Sequence, residues 1–129
     1  MILVDTSVWI DSFHGGSCKD VMNILLANRE ACVNDVILAE LLPSMNVRNE
    51  NEVRELLLAL PKLQMNVDWN NLVAMQTENI RHGLNKVGLP DLMIAQNALQ
   101  SNAKLFSIDR HFELMGEIHF LQMFNPSKQ

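Results

Sequence analysis

Four carboxylates stand where they could do chemistry together: Asp5, Glu40, Asp91 and Asp109. Asp5 ends the apolar run Ile2-Leu3-Val4, and Asp109 ends a second run at 104–108. If both runs are strands of one parallel sheet, both acids leave it at the edge where open α/β sheets bind ligands. Asp91 follows Leu89-Pro90 and so falls in the first turn of a helix, whose start faces that edge too. Glu40 is the single charge within the apolar stretch 37–42. Burying a lone carboxylate costs several kcal/mol, so Glu40 must reach solvent, pair with a base such as Arg48, or join the other acids.

Taken singly, each acid has a plain structural use. Asp5 and Asp109 can cap the helices that follow them, and Asp91 can complement a helix dipole. Taken together, four like charges at one sheet edge repel and destabilise the empty fold. A hard divalent cation with oxygen ligands resolves that conflict, and Mg²⁺ or Mn²⁺ suits carboxylates plus water. Such an ion activates water and clamps a phosphodiester, so the pattern points to metal-assisted phosphodiester hydrolysis.

The elements that must position these acids are readable from the periodicity. Residues 2–4 form a continuous apolar run that suits a strand buried on both faces. Thr6 and Ser7 then begin a helix carrying Val8, Trp9, Ile10 and Phe13, which turns at His14-Gly15-Gly16. Ser17 and Asp20 resemble a capping box for a second helix that fades near Asn28. Residues 31–33 read as a second strand. The third helix, capped by Asn34 or Asp35, spans 36–42 and is interrupted at Pro43. Residues 49–60 make another helix stopped by Pro61, 63–67 a third strand, and Asp68 starts a long helix running to Gly83 or Gly88. After the helix from Asp91 to about residue 101 and the strand 104–108, residues 112–115 give a short helical turn. A last strand is expected at 118–121, and a polar, frayed tail from about 125. Strands alternate with helices throughout and no linker intervenes. The expectation is one domain over 1–129, a three-layer α/β/α sandwich of Rossmann-like type around a mostly parallel sheet of about five strands.

Composition narrows the function further. A formal charge of −5 excludes a broad phosphate-neutralising surface, although bound cations can reverse the sign locally. Cys18 and Cys32 form neither a CxxC nor a Cys/His cluster, which fits buried thiols in a reducing compartment. No apolar run reaches membrane-spanning length and no basic leader precedes residues 2–4. The expectation is a soluble cytoplasmic protein.

VDTSVWID at 4–11, LAELL at 38–42, LPDLMIA at 89–95 and FSIDRHF at 106–112 together resemble the PIN-domain nucleases, and among them the VapC-type toxins of VapBC toxin–antitoxin pairs. Each motif alone is weak; four in order across nearly the whole chain are specific. The resemblance implies a Mg²⁺- or Mn²⁺-dependent endoribonuclease. It makes Asp5 and Asp91 the chief metal ligands and Glu40 and Asp109 supporting ligands or orienters of the attacking water. Thr6 matches the hydroxyl after the first acid, and Ser107 the Thr/Ser two residues before the last, supporting donors by the logic of metal sites. Some relatives carry a further acid where this chain has His111, which leaves that position open between a phosphate contact, a carboxylate partner and plain packing.

The resemblance also implies an RNA substrate, a homodimer and a cognate VapB-type antitoxin whose C-terminal segment wraps the toxin and sends a basic side chain into the acidic site. The Met- and Leu-rich stretches 21–26 and 36–45 are candidates for the groove that receives it. Arg110, Lys104, Lys86 and Arg81 are the bases nearest in sequence to the last two acids and candidates for tracking RNA backbone. Two other readings stay open: an RNA-processing PIN nuclease without an antitoxin, and a catalytically silent scaffold. A silent scaffold would be expected to lack one of the acids, and all four are here. A haloacid-dehalogenase-like site needs an acid at position 7, where this chain has Ser7.

Overall fold

The structure, a computed structural model, describes residues 1–128. Strand β1 (Ile2–Val4) lies at the centre of a parallel sheet, with β2 (Ala31–Cys32) on one side and β3 (Lys104–Phe106) on the other. The register pairs Ile2 with both Ala31 and Lys104, and Val4 with Phe106, so Asp5 emerges from the middle of the carboxyl edge. Leu3 and Val4 are fully buried, as a central strand covered on both faces requires.

Seven helices surround this sheet among the described residues: α1 (Thr6–Phe13), α2 (Lys19–Ala27), α3 (Asp35–Arg48), α4 (Asn51–Ala59), α5 (Trp69–Arg81), α6 (Leu89–Gln100) and α7 (Arg110–His119). Their apolar faces meet in one core in which Trp9, Met22, Ile37, Leu57, Leu92, Ile94 and Phe112 are buried. The indole of Trp9 donates to the Val4 carbonyl at 3.0 Å, which ties α1 to the strand it follows. Both cysteines are free and buried. No helix among the described residues is long and apolar enough to cross a membrane.

The parallel α/β architecture is as expected, but the sheet has three strands among the described residues where about five were anticipated. Residues 63–67 stay out of the sheet after a single bridge between Val33 and Lys62. Side-chain amides of α6 take carbonyls of this segment and of the residue after it instead: Asn97 donates to Gln64 O at 3.0 Å, Gln100 to Asn66 O at 2.9 Å and Gln96 to Asp68 O at 2.9 Å. Helical side chains thus complete backbone hydrogen bonding that a neighbouring strand would otherwise supply.

The anticipated last strand at 118–121 is also displaced. What reads as a short turn at 112–115 is a ten-residue helix that runs on to His119 and closes at Phe120 in the left-handed conformation. The chain then folds back beside Gly116, where a Cβ would stand 3.2 Å from Met123. The strand-like pairing falls at 122–124, which exchanges hydrogen bonds with Leu105.

Two local expectations fail for simple reasons. Pro43 does not interrupt the third helix, since α3 passes through it to Arg48 at the loss of one backbone donor. No Ser17–Asp20 capping box forms either: the Asp11 carboxylate, reaching from α1, accepts the Cys18 N–H at 2.7 Å. From residue 125 the tail makes a short 3₁₀ turn over Pro126–Lys128.

Candidate active site

Each of the four acids is positioned by a helix start or an adjoining helix. Asp5 leaves β1 and becomes the N-cap of α1; it is buried, at 4% exposure. Its Oδ2 accepts the Ser7 hydroxyl at 2.7 Å, the Ser107 hydroxyl at 3.0 Å and the Ser7 N–H at 3.3 Å. All three bonds fall on one oxygen, so Oδ1 remains available to a ligand.

Asp109 comes three residues after β3 and caps α7, accepting the His111 N–H at 2.9 Å. Its own N–H donates to Ser107 Oγ at 3.0 Å. Ser107 therefore holds the Asp5 carboxylate with its proton and the Asp109 backbone with a lone pair. Capping and site-building are compatible here, because a cap occupies only part of a carboxylate.

Asp91 occupies the first turn of α6 after Pro90 and makes no hydrogen bond among the described residues. Burial pushes its carboxyl up to about 6, and the charges of Asp5, Asp109 and Glu40 add to the shift; the nearby His111 opposes it. Burial first, and then the charge of three neighbouring acids, thus hold this carboxyl well above the ordinary Asp value. Glu40 lies on the exposed side of α3 rather than buried among its apolar neighbours. Its partner is not Arg48, which pairs with Glu50 at 3.9 Å; instead Glu40 accepts the Thr6 hydroxyl at 2.9 Å.

One contributor is missed by residue-type reasoning, and one position left open by it is settled in geometry. Ser7 donates to Asp5 and accepts the Ile108 N–H at 3.3 Å, linking β1 to the loop after β3. The signal is the second of the two hydroxyls after Asp5: Thr6 is matched to the site by the resemblance, whereas Ser7 is read only as part of a helix start. His111 joins the acids directly: ligand atoms of Asp91, Asp109 and His111 all lie within 4.8 Å of one another.

The four basic candidates separate by position. Arg110 is exposed in the first turn of α7 beside Asp109, and Lys86 is exposed in the loop leading to α6. Arg81 is ion-paired with Glu78 on α5. Lys104 opens β3 level with Ile2, so strand direction puts it at the edge away from the acids.

Two grooves border the site. One of about 460 Å³ runs from Ser107 and Asp109 along Val21, Met123 and Phe124. The other, about 400 Å³, lies between α1, α3 and α4, with Ile10, Phe13, Leu41, Met45 and Val53 along it and Glu40 at its edge. The stretch 36–45 thus lines the second groove, and 21–26 touches only the first.

A partly buried cluster of excess negative charge with uncommitted oxygens, joined by an imidazole, is a donor set that a divalent cation fits. Comparison with known proteins agrees with this fold. The family model described as PIN domain matches residues 2–118. No curated protein matches the sequence closely enough to count as a relative. Among solved structures, VapBC2 from Rickettsia felis, bound to a DNA fragment from its promoter, is similar with a TM-score of 0.75 and 23% identity. That match covers 97% of this chain and 98% of the other. DNA-bound VapBC from Salmonella typhimurium gives 0.72 and 20% over 95% and 96%. FitAcB from Neisseria gonorrhoeae gives 0.70 and 19% over the full length of both chains.

Proposed function

The chain belongs to the PIN-domain family, a family of nucleases, and from that premise we propose that it is a toxin-type endoribonuclease dependent on Mg²⁺ or Mn²⁺. The observation that carries the reading is Asp91, a carboxylate raised to about 6 by burial and by three converging acids. Such an arrangement costs stability unless a cation neutralises it. Asp5, Asp91 and Asp109 would hold the ion, with Glu40 as a supporting ligand or an orienter of water. When bound, it would lower the pKa of a water and neutralise charge on the scissile phosphate.

The remaining residues prepare that chemistry. Ser7 and Ser107 fix the Asp5 carboxylate by one oxygen, and Thr6 fixes Glu40. Arg110 and Lys86, exposed near the acids in sequence, would meet phosphates of the bound strand. Single-stranded or looped RNA suits this open edge better than an A-form helix, whose bases are hard to reach. With water as nucleophile, the products would carry 5′-phosphate and 3′-hydroxyl ends.

Structural neighbours solved as VapBC and FitAcB complexes support a cognate antitoxin as partner. The apolar groove between α1, α3 and α4 is where its segment would lie, ending at Glu40. A homodimer belongs to the same proposal.

The test is cleavage of structured RNA by the purified, antitoxin-free protein in Mg²⁺, Mn²⁺ or EDTA, beside Asp91→Asn prepared identically. Discrete cuts that need metal and vanish in the variant are expected. Cleavage that persists in Asp91→Asn or in EDTA would remove this mechanism. Absence of both cleavage and metal binding would favour a silent scaffold.

A further inference from the structure

His111 is the second residue of α7, and its backbone N–H is fastened to the carboxylate of Asp109, the cap of the same helix. That short link places both side chains at one helix start, with His111 Nδ1 3.8 Å from Asp109 Oδ1. The ring makes no hydrogen bond among the described residues, so neither nitrogen is committed to the protein. Asp91 reaches the same point from α6, and one donor atom from each residue falls within 4.8 Å of the other two. Around a small octahedral ion, ligand atoms stand about 3 Å apart when adjacent and about 4.2 Å when opposite. Both the imidazole and the Asp109 carboxylate are partly exposed, with 37% and 40% of their side chains in solvent. Small rotations close the gap without repacking the core.

We propose that His111 is a nitrogen ligand of this site and sets its ion preference, favouring Mn²⁺ over Mg²⁺. The proposal rests on the metal-dependent reading above. Mg²⁺ is hard, keeps its waters and gains little from imidazole, whereas first-row transition ions bind nitrogen as well as oxygen. An all-carboxylate site would treat the two ions more nearly alike. Two acids plus one imidazole split them.

Mn²⁺ is the probe, because its unpaired electrons report a coordinated ¹⁴N in pulsed electron paramagnetic resonance. The full chain, stripped of metal, is titrated with Mn²⁺ and separately with Mg²⁺ by calorimetry, as wild type, His111→Ala, His111→Asp and Asp91→Asn. Wild type is expected to show ¹⁴N modulation that disappears in His111→Ala. Mn²⁺ affinity should fall at least about tenfold in that variant, a loss seen even for residues one shell out from a metal. Mg²⁺ affinity should change less than about twofold. His111→Asp keeps a ligand in place and should narrow the Mn²⁺/Mg²⁺ preference without abolishing binding. Mn²⁺ that binds through Asp91 but shows no ¹⁴N coupling, or equal losses for both ions in His111→Ala, would overturn the proposal and leave the nuclease reading intact. Mn²⁺ binding unchanged in Asp91→Asn would instead overturn the reading on which it rests.

Discussion

At the scale of single residues, Asp91 links stability to pH in a direction that can be worked out. Its carboxyl is raised from 3.8 to about 6 by burial and then by Asp5, Asp109 and Glu40. Between those values the folded chain binds more protons than the unfolded one, so stability falls as pH rises. The contribution is fully present below about pH 4 and lost as pH passes about 6. Metal-free Asp91→Asn, with no charge to lose, should therefore melt roughly 3–6 °C above wild type at pH 8 and close to it at pH 4.5. Thermal melts at the two pH values check this, and an equal offset at both would mean the gain is not electrostatic. Cation binding competes with the same proton, so Mn²⁺ should stabilise wild type more at pH 8 than at pH 5.

Ser107 offers a second test at this scale. It donates to Asp5 Oδ2 and accepts from the Asp109 N–H, so it couples two acids without being one. Ser107→Ala should lower turnover about 10–100-fold, the range for residues that orient a metal's ligands. The melting temperature should stay near that of wild type, because the hydroxyl is only partly buried. Single-turnover cleavage with a parallel melt separates this from simple unfolding. Wild-type cleavage in Ser107→Ala would remove it from the machinery.

At the scale of elements, the acid-bearing junctions were legible and the edges of the sheet were not. A β-branched run followed by an acid and hydroxyls specifies strand, turn and helix by local rules, and β1, Asp5 and α1 obey them. The segment 63–67 alternates like a strand, but its Gln64 and Asn66 carbonyls are claimed by Asn97 and Gln100 from a helix distant in sequence. No local pattern announces such a claim. Likewise 112–115 reads as a short turn, yet the helix continues through Gly116, where the returning chain at Met123 needs the space. Site convergence was readable because it depends on strand direction; Ser7 was missed because its partner lies about a hundred residues away. The α6 ladder itself can be tested. Asn97 is buried and bonds both the buried Asn34 amide and the Gln64 carbonyl, so Asn97→Ala strands a buried donor, frees the segment's carbonyl and should cost about 2–3 kcal/mol. Gln100→Ala, with an exposed bond, should cost less than about 1 kcal/mol. Urea midpoints compare them, and equal losses would mean that the ladder does not pin the segment.

At the scale of the molecule, the proposed activity requires a chain of charge −5 to bind a polyanion with its densest acids at the cut. Cation binding inverts that local field, and a partner that inhibits the enzyme has to supply positive charge in its place. The groove between α1, α3 and α4 carries Phe13, Met45 and Val53 beside the charged Glu40, Arg48 and Glu50. A complementary segment therefore combines apolar side chains with a base that meets Glu40, the form proposed for an antitoxin tail. Val53 is half-buried on α4, and among the elements that line this groove α4 carries none of the four acids. Val53→Lys puts an ammonium where the segment must pack. Its desolvation, about 2–3 kcal/mol, should weaken inhibition roughly 30–150-fold. Cleavage by the free variant should equal that of wild type, since the substitution touches none of the acids or their hydroxyl partners. The measurement is titration of cleavage with the antitoxin's C-terminal peptide against both proteins. Loss of inhibition with cleavage intact assigns the groove to the antitoxin; unchanged inhibition places the antitoxin elsewhere on the surface.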